Sequence, residues 1–273
     1  MNEISIRELH TIEELSMAEQ VQKLAWGMPD IMVTPKEIMR AIASNGGLVL
    51  GAFYGEKMVG MSLSFVGRRK NKLYMYSHMT GVSREYQSQG VGYLLKQKQR
   101  ELSLKMGYEL IAWTFDPLIA RNAHFNMSKL GTITRTYLRN YYGEMNDEIN
   151  FGLDTDRVIA EWWSERSVES ARKHALSDLE DCHYAIESTD SQGDCKSWSV
   201  DPNAKKVLVQ IPSDIVALKR VDLKAAQRWR LATREVFEEY FKAGYAALAF
   251  LKLNGRLYYV LAKAQLPENV FSE

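Results

Sequence analysis

The chain has 273 residues, of which 46% are hydrophobic and 25% charged, a composition typical of a folded globular protein of one or two domains. Lys and Arg number 35 against 34 Asp and Glu, so a formal charge of +1 gives no overall field that attracts nucleic acid or anionic lipid. Two cysteines are too few for a disulfide scaffold, and neither a membrane span nor a signal-peptide pattern is evident. We therefore expect a cytoplasmic protein that binds neither nucleic acid nor membrane.

The N-terminal region predicts two helices. Thr11–Glu14 and Thr34–Glu37 both fit the capping-box pattern, and each precedes apolar residues at helical spacing. In the second segment Pro35 takes the first helical position, where its missing N–H is not needed. We predict helices over 12–25 and 35–44.

The next elements place a loop between a buried strand and a long helix. Residues 48–53 and 58–66 predict two antiparallel strands, followed by a basic loop at 68–72. Residues 73–82 predict a third, buried strand, and 91–106 predict a helix with apolar residues at helical spacing. The loop between them therefore joins a strand end to a helix N-terminus.

Strand and helix patterns continue to the C-terminus. Predicted strands lie at 110–115, 133–142, 206–212, 246–253 and 257–262, and predicted helices at 122–130 and 223–243. A composition shift predicts two domains, 1–150 and 151–273. Lys242–Tyr245 echoes Lys105–Tyr108, each after a long helix and before a strand, which suggests that the second domain is a degenerate copy of the first unit.

The segment Gln87-Ser-Gln-Gly-Val-Gly92 carries the chemistry of the predicted loop. Gly90 and Gly92 allow positive φ and a close approach of backbone to a ligand. The free N–H groups of the following helical turn and the helix dipole favour an anion such as a pyrophosphate. This strand, loop and helix together favour an anion site over a plain tight turn.

This segment resembles the signature of the GNAT superfamily of acyl-CoA-dependent N-acyltransferases, in which Gln or Arg-x-x-Gly-x-Gly or Ala joins the fourth strand to the third helix. The resemblance covers residues 1 to about 150. Thr114-Phe-Asp-Pro-Leu118 and Asn122-Ala-His-Phe-Asn126 resemble a branch of the superfamily with an added C-terminal portion. The implied fold is α/β, with a mixed sheet that splays between its fourth and fifth strands and holds acyl-CoA in the opening.

The resemblance also implies site residues. Acetyl-CoA or another short acyl-CoA is the expected acyl donor, with no metal, and its pantetheine would contact main-chain groups of Val82. Asn122 would contact the coenzyme arm. The residues that would cradle the pyrophosphate are Gln87, Ser88, Gln89, Gly90, Val91 and Gly92.

One position departs from the family pattern. Many members have a tyrosine two residues before the lysine of a Lys-x-Gly turn, where it acts as a general acid toward the leaving thiolate. Lys129-Leu-Gly131 matches that turn, but the tyrosine position holds Met127. The general acid is therefore missing or supplied from elsewhere, and its loss need not abolish transfer, because general acid catalysis contributes only about 10²–10⁴-fold.

Three residues are candidates for the general base that deprotonates the acceptor amine. His78 lies in the signature strand, with the parity of Tyr74, Tyr76 and Val82 if no bulge intervenes, and faces either the acceptor cleft or the core. Asp116 ends the next strand, where it is either near the cleft mouth or a turn carboxylate. His124 lies in the short helix, where it replaces the absent tyrosine or is merely exposed. Direct transfer needs no protein nucleophile, so Cys182 and Cys195 are not expected to be catalytic.

The C-terminal half is not expected to hold a second coenzyme. The loop at 213–222 has no glycine, and Asp214 and Asp222 stand where a phosphate-binding copy would need bare N–H groups. Arg230 and Arg234 share a helix face, either solvated or placed for an acidic substrate.

The sequence therefore predicts an N-acyltransferase that moves an acetyl or succinyl group from acyl-CoA to the amine of a small molecule such as an amino acid, in a ternary complex. A non-catalytic acyl-CoA-binding regulatory module is the alternative, favoured by Met127. The predicted partner is a small-molecule amine, and the monomer or homodimer state stays open.

Overall fold

A computed structural model describes residues 3–145, 150–188 and 193–272 of the chain. The chain forms two compact units, Met1–Trp113 and Thr114–Glu273. The sequence analysis predicts a domain boundary at residue 150 instead. Residues 146–149, just before it, lie outside the described ranges. That boundary stays a prediction. None of the helices in the described ranges is both long and apolar enough to cross a membrane.

The first unit is a mixed sheet with helices on both faces. Strands β1 to β4 are antiparallel neighbours in chain order, and β5 runs parallel to β4. The strands are β1 (Ile4–Glu8), β2 (Leu48–Tyr54), β3 (Lys57–Arg69), β4 (Lys72–Val82) and β5 (Leu110–Phe115), whose last two residues belong to the second unit. The helices are α1 (Ile12–Trp26), α2 (Lys36–Ser44) and α3 (Val91–Lys105). The predicted α/β mixed sheet is confirmed.

Helix starts in the first unit show which sequence signals operate. The Thr11–Glu14 capping box forms, with Glu14 N–H donating to Thr11 Oγ1 at 3.2 Å and Thr11 N–H donating to Glu14 Oε2 at 3.1 Å. The second predicted box does not form. Instead, the Glu19 carboxylate of α1 accepts from the N–H of Lys36 at 2.7 Å and caps α2 from a neighbouring helix.

The core of the first unit lies on both faces of its sheet. Leu15, Ala18 and Val21 of α1 pack with buried residues of β2 and β3 on one face. On the other face, Val91 and Leu95 of α3 pack with different residues of the same strands. Burial of these side chains is the main force that fixes α3, and with it the loop before α3, on the sheet.

The second unit contains the remaining elements. Its helices are α4 (Ala120–Ala123), a π-helix (His124–Leu130), α5 (Arg166–Leu176), α6 (Ile215–Val221) and α7 (Leu223–Lys242). Its strands are β6 (Tyr137–Leu138), β7 (Arg157–Trp163), β8 (His183–Tyr184), β9 (Ile186–Ser188), β10 (Cys195–Trp198), β11 (Lys206–Ile211), β12 (Ala246–Leu253) and β13 (Arg256–Ala262). A four-stranded sheet has the order β12-β13-β11-β8.

Two sequence predictions are wrong in their extent. The basic loop at 68–72 is a tight turn, because β3 continues to Arg69 and β4 starts at Lys72. The strand predicted at 133–142 is reduced to β6 and two isolated bridges, at Ile133 and Thr134. The backbone leaves the strand at Asn140, which has φ +42° and donates its N–H to Asp156 Oδ1 at 2.9 Å.

Carboxylates cap α6 and α7, as their positions in the sequence suggest. Asp214 accepts from the N–H groups of Val216 and Ala217 at the start of α6, both at 3.0 Å. Asp222 accepts from the N–H of Ala225 at 2.9 Å and starts α7. The N–H groups that would bind a phosphate in a copy of the α3 N-terminus are therefore occupied by carboxylates.

Candidate active site

The N-terminus of α3 has the geometry of an anion site. Gly90 stands just before the helix with φ +85° and ψ −5°, a left-handed conformation that favours glycine. No side chain caps this end of α3, and its first turn has no acidic residue. The N–H groups of the first turn have no acceptor within the helix, and the helix dipole adds positive potential, so an anionic group fits here.

The loop before α3 is held by its own glutamines. The Gln87 side chain donates to the carbonyl of Val82 at 3.0 Å, and the Gln89 side chain donates to the carbonyl of Glu85 at 2.9 Å. Ser88 has φ +63° between them. The two side-chain amides thus fix the loop, which leaves the backbone N–H groups of this segment as the expected pyrophosphate donors. The roles assigned to Gln87, Ser88, Gln89, Gly90, Val91 and Gly92 stay predictions.

β4 and β5 pair over a short stretch and then stop. Their register positions are Met75 with Ile111 and Tyr76 with Ala112, after which β4 continues to Val82 without further pairing to β5 among the described residues. We call the point just past the last pair, at Ser77 and Trp113, the strand fork. The divergence expected between the fourth and fifth strands is therefore present, and it leaves main-chain groups of β4 open to a ligand.

His78 is the extra residue of a β-bulge in β4. Ser64 of β3 faces Ser77, but Leu63, its neighbour, faces Met79, so His78 has no partner in the register. A bulge of this kind interrupts the ladder and re-aims a side chain, and bulges are frequent beside active sites. The sequence prediction that His78 continues the alternation from Tyr74 to Val82 holds only where no bulge intervenes, and one does.

The imidazole of His78 is well placed to accept a proton. It is exposed, lies 5.7 Å from the Phe65 ring between centroids, and has no hydrogen-bond or ion-pair partner in the described part of the chain. Partial desolvation by neighbouring atoms lowers the pKa of His78 from its ordinary value. The ring is therefore neutral and free to accept a proton at neutral pH.

Asp116 lies in a buried ion pair. Arg230 of α7 holds its carboxylate in a bidentate contact of 2.9 and 2.5 Å, and the Arg157 guanidinium lies 3.6 Å away. The N–H of Leu118 donates to the same carboxylate at 2.8 Å. These donors engage both oxygens of the Asp116 carboxylate. Its role as a base stays a prediction, and this geometry argues against it.

Arg230 and Arg234 of α7 are ion-paired rather than solvated. Arg230 is 4% exposed and pairs with Asp116, and Arg234 pairs with Asp154 and Asp156. The hydroxyl of Tyr137 donates to Asp156 at 2.7 Å. Burial raises the pKa of this hydroxyl well above its ordinary value, so it stays protonated. Sequence reasoning missed this network because its members are far apart along the chain.

Asn122 and His124 lie on the helix that follows β5. The segment predicted at 122–130 is α4 continued by a π-helix, and it ends at Gly131 with φ +82°. Both side chains are exposed, and His124 lines a surface pocket of about 490 Å³ with Arg121, Phe250 and Lys252. The coenzyme contact of Asn122 and the base or acid role of His124 stay predictions.

Met127 and its surroundings set the geometry of the π-helix. Met127 is fully buried, so its position offers a thioether in a closed environment and no hydroxyl. Its carbonyl accepts from the Arg172 guanidinium of α5 at 2.6 Å, and the same guanidinium donates to the carbonyl of Leu248 at 3.1 Å. Arg172 therefore ties the π-helix to β12, and sequence reasoning gave no sign of it.

The remaining reactive side chains do not form a second site. Cys195 is buried, and burial raises the pKa of its thiol to about 11, while burial also raises the pKa of Cys182. Neither thiol is therefore prone to ionise at neutral pH. Over the three described ranges, no group of three or more His, Cys, Asp or Glu side chains is placed to hold a metal ion.

Several solved structures are similar to this chain. The ribosomal-protein-S18-alanine N-acetyltransferase from Escherichia coli is 20% identical over 59% of this chain and 94% of its own, with a TM-score of 0.46. An acetyltransferase of the GNAT family from Streptococcus pneumoniae is 18% identical over 58% and 98%, with a TM-score of 0.48. An aminoglycoside acetyltransferase from an uncultured soil metagenomic sample is 18% identical over 46% and 86%, with a TM-score of 0.41.

No protein-family model matches the chain, and no curated protein matches it in sequence. The function proposed for this chain therefore rests on its own residues.

Proposed function

We propose that this protein is an acyl-CoA-dependent N-acyltransferase of the GNAT type. The observation that carries the proposal is the uncapped, acid-free N-terminus of α3, preceded by Gly90 at φ +85° and joined to a strand that diverges from its neighbour. An anion site alone has many uses. Its combination with unpaired main-chain groups along β4 suits an extended ligand with a pyrophosphate at one end and an amide-bearing arm.

The residues of the first unit suggest how the donor binds. The pyrophosphate is received by N–H groups of the Gln87–Gly92 segment, and the arm lies along β4, where Val82 supplies main-chain groups. Gln87 links the two parts, because its side chain holds the loop to the carbonyl of Val82. Such positioning matters because bound, aligned reactants have already lost their translational and rotational freedom, so this loss no longer adds to the barrier of the chemical step.

In the reaction, the nitrogen of the acceptor amine forms a bond to the acyl carbon, and the carbon–sulfur bond to coenzyme A breaks. One proton of the ammonium passes, directly or through a water, to a ring nitrogen of His78. The second proton, which the nitrogen loses as the amide forms, passes through solvent to the departing thiolate, so that the coenzyme leaves as the thiol. The backbone N–H groups freed by the β-bulge at His78 are candidates to polarise the acyl carbonyl. No protein nucleophile takes part.

We further propose that the acceptor is a small-molecule amine such as an amino acid, and that the donor is acetyl-CoA or succinyl-CoA. The whole reaction takes place in a ternary complex in the cytoplasm. The buried Met127 in place of a tyrosine favours a second candidate, a regulatory module that binds acyl-CoA without turnover.

A screen of small amines with acetyl-CoA and succinyl-CoA separates the two candidates. An enzyme releases free thiol only in the presence of an acceptor, whereas a regulatory module binds acyl-CoA with no release for any amine. Calorimetric titration with coenzyme A provides the control for binding. A protein that binds neither coenzyme A nor an acyl-CoA would refute both candidates.

A further inference from the structure

The strand fork is bridged by a lysine. Nζ of Lys96, on α3, lies 2.8 Å from the Oγ of Ser77 on β4 and 3.5 Å from the centroid of the Trp113 ring on β5. Ser77 and Trp113 are the first residues of the two strands beyond the last paired position. Lys96 therefore spans the two strands, on the face covered by α3, at the point where their hydrogen bonding ends.

A polar network holds Lys96 in this position. Its Nζ also donates to Oε1 of Gln99 at 3.1 Å, and the Gln99 amide donates to the hydroxyls of Ser62, Ser64 and Ser77 at 3.1, 3.2 and 3.1 Å. Lys96 is 3% exposed and Gln99 is fully buried. No carboxylate in the described ranges pairs with Lys96, and burial lowers its pKa well below the ordinary value.

Such a bridge is difficult to displace. The interior around it is close-packed, so the side chain has no free space into which to swing. Moving Nζ also leaves Ser77 and Gln99 with buried polar atoms that have lost a partner, which is costly in a low-dielectric interior. The Lys96 side chain therefore blocks the space between β4 and β5 at the strand fork, and the place where it blocks depends on the length of that side chain.

We propose that Lys96 forms the closed end of the acyl-binding slot and restricts the donor to short acyl groups, of about the size of acetyl or propionyl. Of the two donors proposed above, this selects acetyl-CoA over the longer succinyl-CoA. This inference rests on the proposed function, in which the coenzyme arm lies along β4. The α3 N-terminus adjoins Val82, and the path from Val82 back to Ser77 is five residue steps, or about 17 Å at about 3.3 Å per residue. An arm that enters beside Val82 carries its acyl end toward the strand fork.

A series of straight-chain donors, from acetyl-CoA to hexanoyl-CoA, tests the proposal with one acceptor. In the wild-type protein, kcat/KM should fall at least about tenfold over the series, since a single methylene in a fitted pocket discriminates by about 10–200-fold. Lys96→Ala opens the closed end, and the hexanoyl donor should then be used within about threefold of acetyl. Lys96→Met keeps the length of the side chain and should keep the preference for short donors.

Two further variants keep the test decisive. Lys98→Met removes a partly exposed lysine of the same helix, paired with Glu101, and should leave the donor profile unchanged. Trp113→Leu shortens the opposite side of the bridge and should broaden the donor range even where Lys96→Ala does not fold. A folded Lys96→Ala or Trp113→Leu protein with the wild-type donor profile would overturn the inference and leave the proposed function standing. A wild-type protein that neither binds nor uses any acyl-CoA would refute the proposed function, and this inference with it.

Discussion

Two glycines at opposite ends of α3 allow the coenzyme site to be tested apart from stability. Gly90 has φ +85° and Gly107 has φ +86°, and a Cβ atom at either position would meet no described atom within 4 Å. Gly90→Ala and Gly107→Ala therefore impose the same backbone strain, about 1–2 kcal/mol for a residue with a Cβ in the left-handed region. Chemical denaturation should show a similar loss of unfolding free energy in the two variants.

Their effects on the coenzyme should differ. The Cβ atom added by Gly90→Ala would project beside the N–H groups of the first turn and keep the pyrophosphate at a distance, which weakens hydrogen bonds to a charged group that contribute about 1.5–3 kcal/mol each. We expect this variant to weaken acyl-CoA binding at least about tenfold by calorimetry, and Gly90→Val to weaken it further. Gly107→Ala should bind as the wild type does. Equal affinity in the folded Gly90 and Gly107 variants would show that the anion site is elsewhere.

Three other outcomes are expected. His78→Ala should lower kcat about 10²-fold or more and remove the acidic limb of the pH–rate profile. That limb lies below pH 6.5, because the neutral ring is the base and the pKa of His78 is lowered. An unchanged limb would exclude His78 as the general base. Each chain should bind one acyl-CoA by calorimetric titration, since Asp214 and Asp222 occupy the N-termini of α6 and α7, where a copy of the α3 site would lie. A second site that survives Gly90→Val would contradict this. Asp116→Ala should lower the free energy of unfolding by about 3–5 kcal/mol, because it leaves Arg230 buried and unpaired. Asp194→Ala removes the partly exposed partner of Arg228 and should cost at most about 1 kcal/mol. Similar losses in the two variants would show that the buried pair is not important for stability.

Local signals made the first unit predictable from sequence. The capping box at Thr11, the glycine after α3 and the apolar spacing of each helix act within a few residues, so the helices and strands from 12 to 115 lie close to their predicted bounds. Asn254 and Gly255, a pair typical of a type I′ turn, are an equally local signal between the predicted strands 246–253 and 257–262, and both residues have positive φ in the structure. The sequence analysis overlooked β1, although Ile4 and Ile6 alternate with polar residues, and it overlooked two short 3-10 helices, Asp30–Met32 and Arg84–Tyr86.

Long-range pairing set the features that sequence reasoning missed. The bulge at His78 depends on the register between β3 and β4, which no local pattern in β4 specifies. Asp116 and Arg230 are 114 residues apart, and nothing near either one reveals the partner. Lys96 lies on a helix face where a lysine is ordinarily exposed. The one available signal was the set of serines at inward positions of β3 and β4, which indicates a polar group opposite them.

The hydrogen bonds of Arg172 make the helix after β5 dependent on sequence far downstream. A chain that ended near residue 150 would lack both α5 and β12, and so would lose the donor at the Met127 carbonyl and the acceptor, Phe250 O, that Ser128 Oγ contacts at 2.7 Å. A hydrogen bond of this kind contributes about 0.5–1.5 kcal/mol net, so the loss of both would weaken the hold on the helix that carries Asn122 and His124. The elements α5 and β12 thus hold the helix after β5 in position, and neither that helix nor these two elements can be exchanged between proteins without the other.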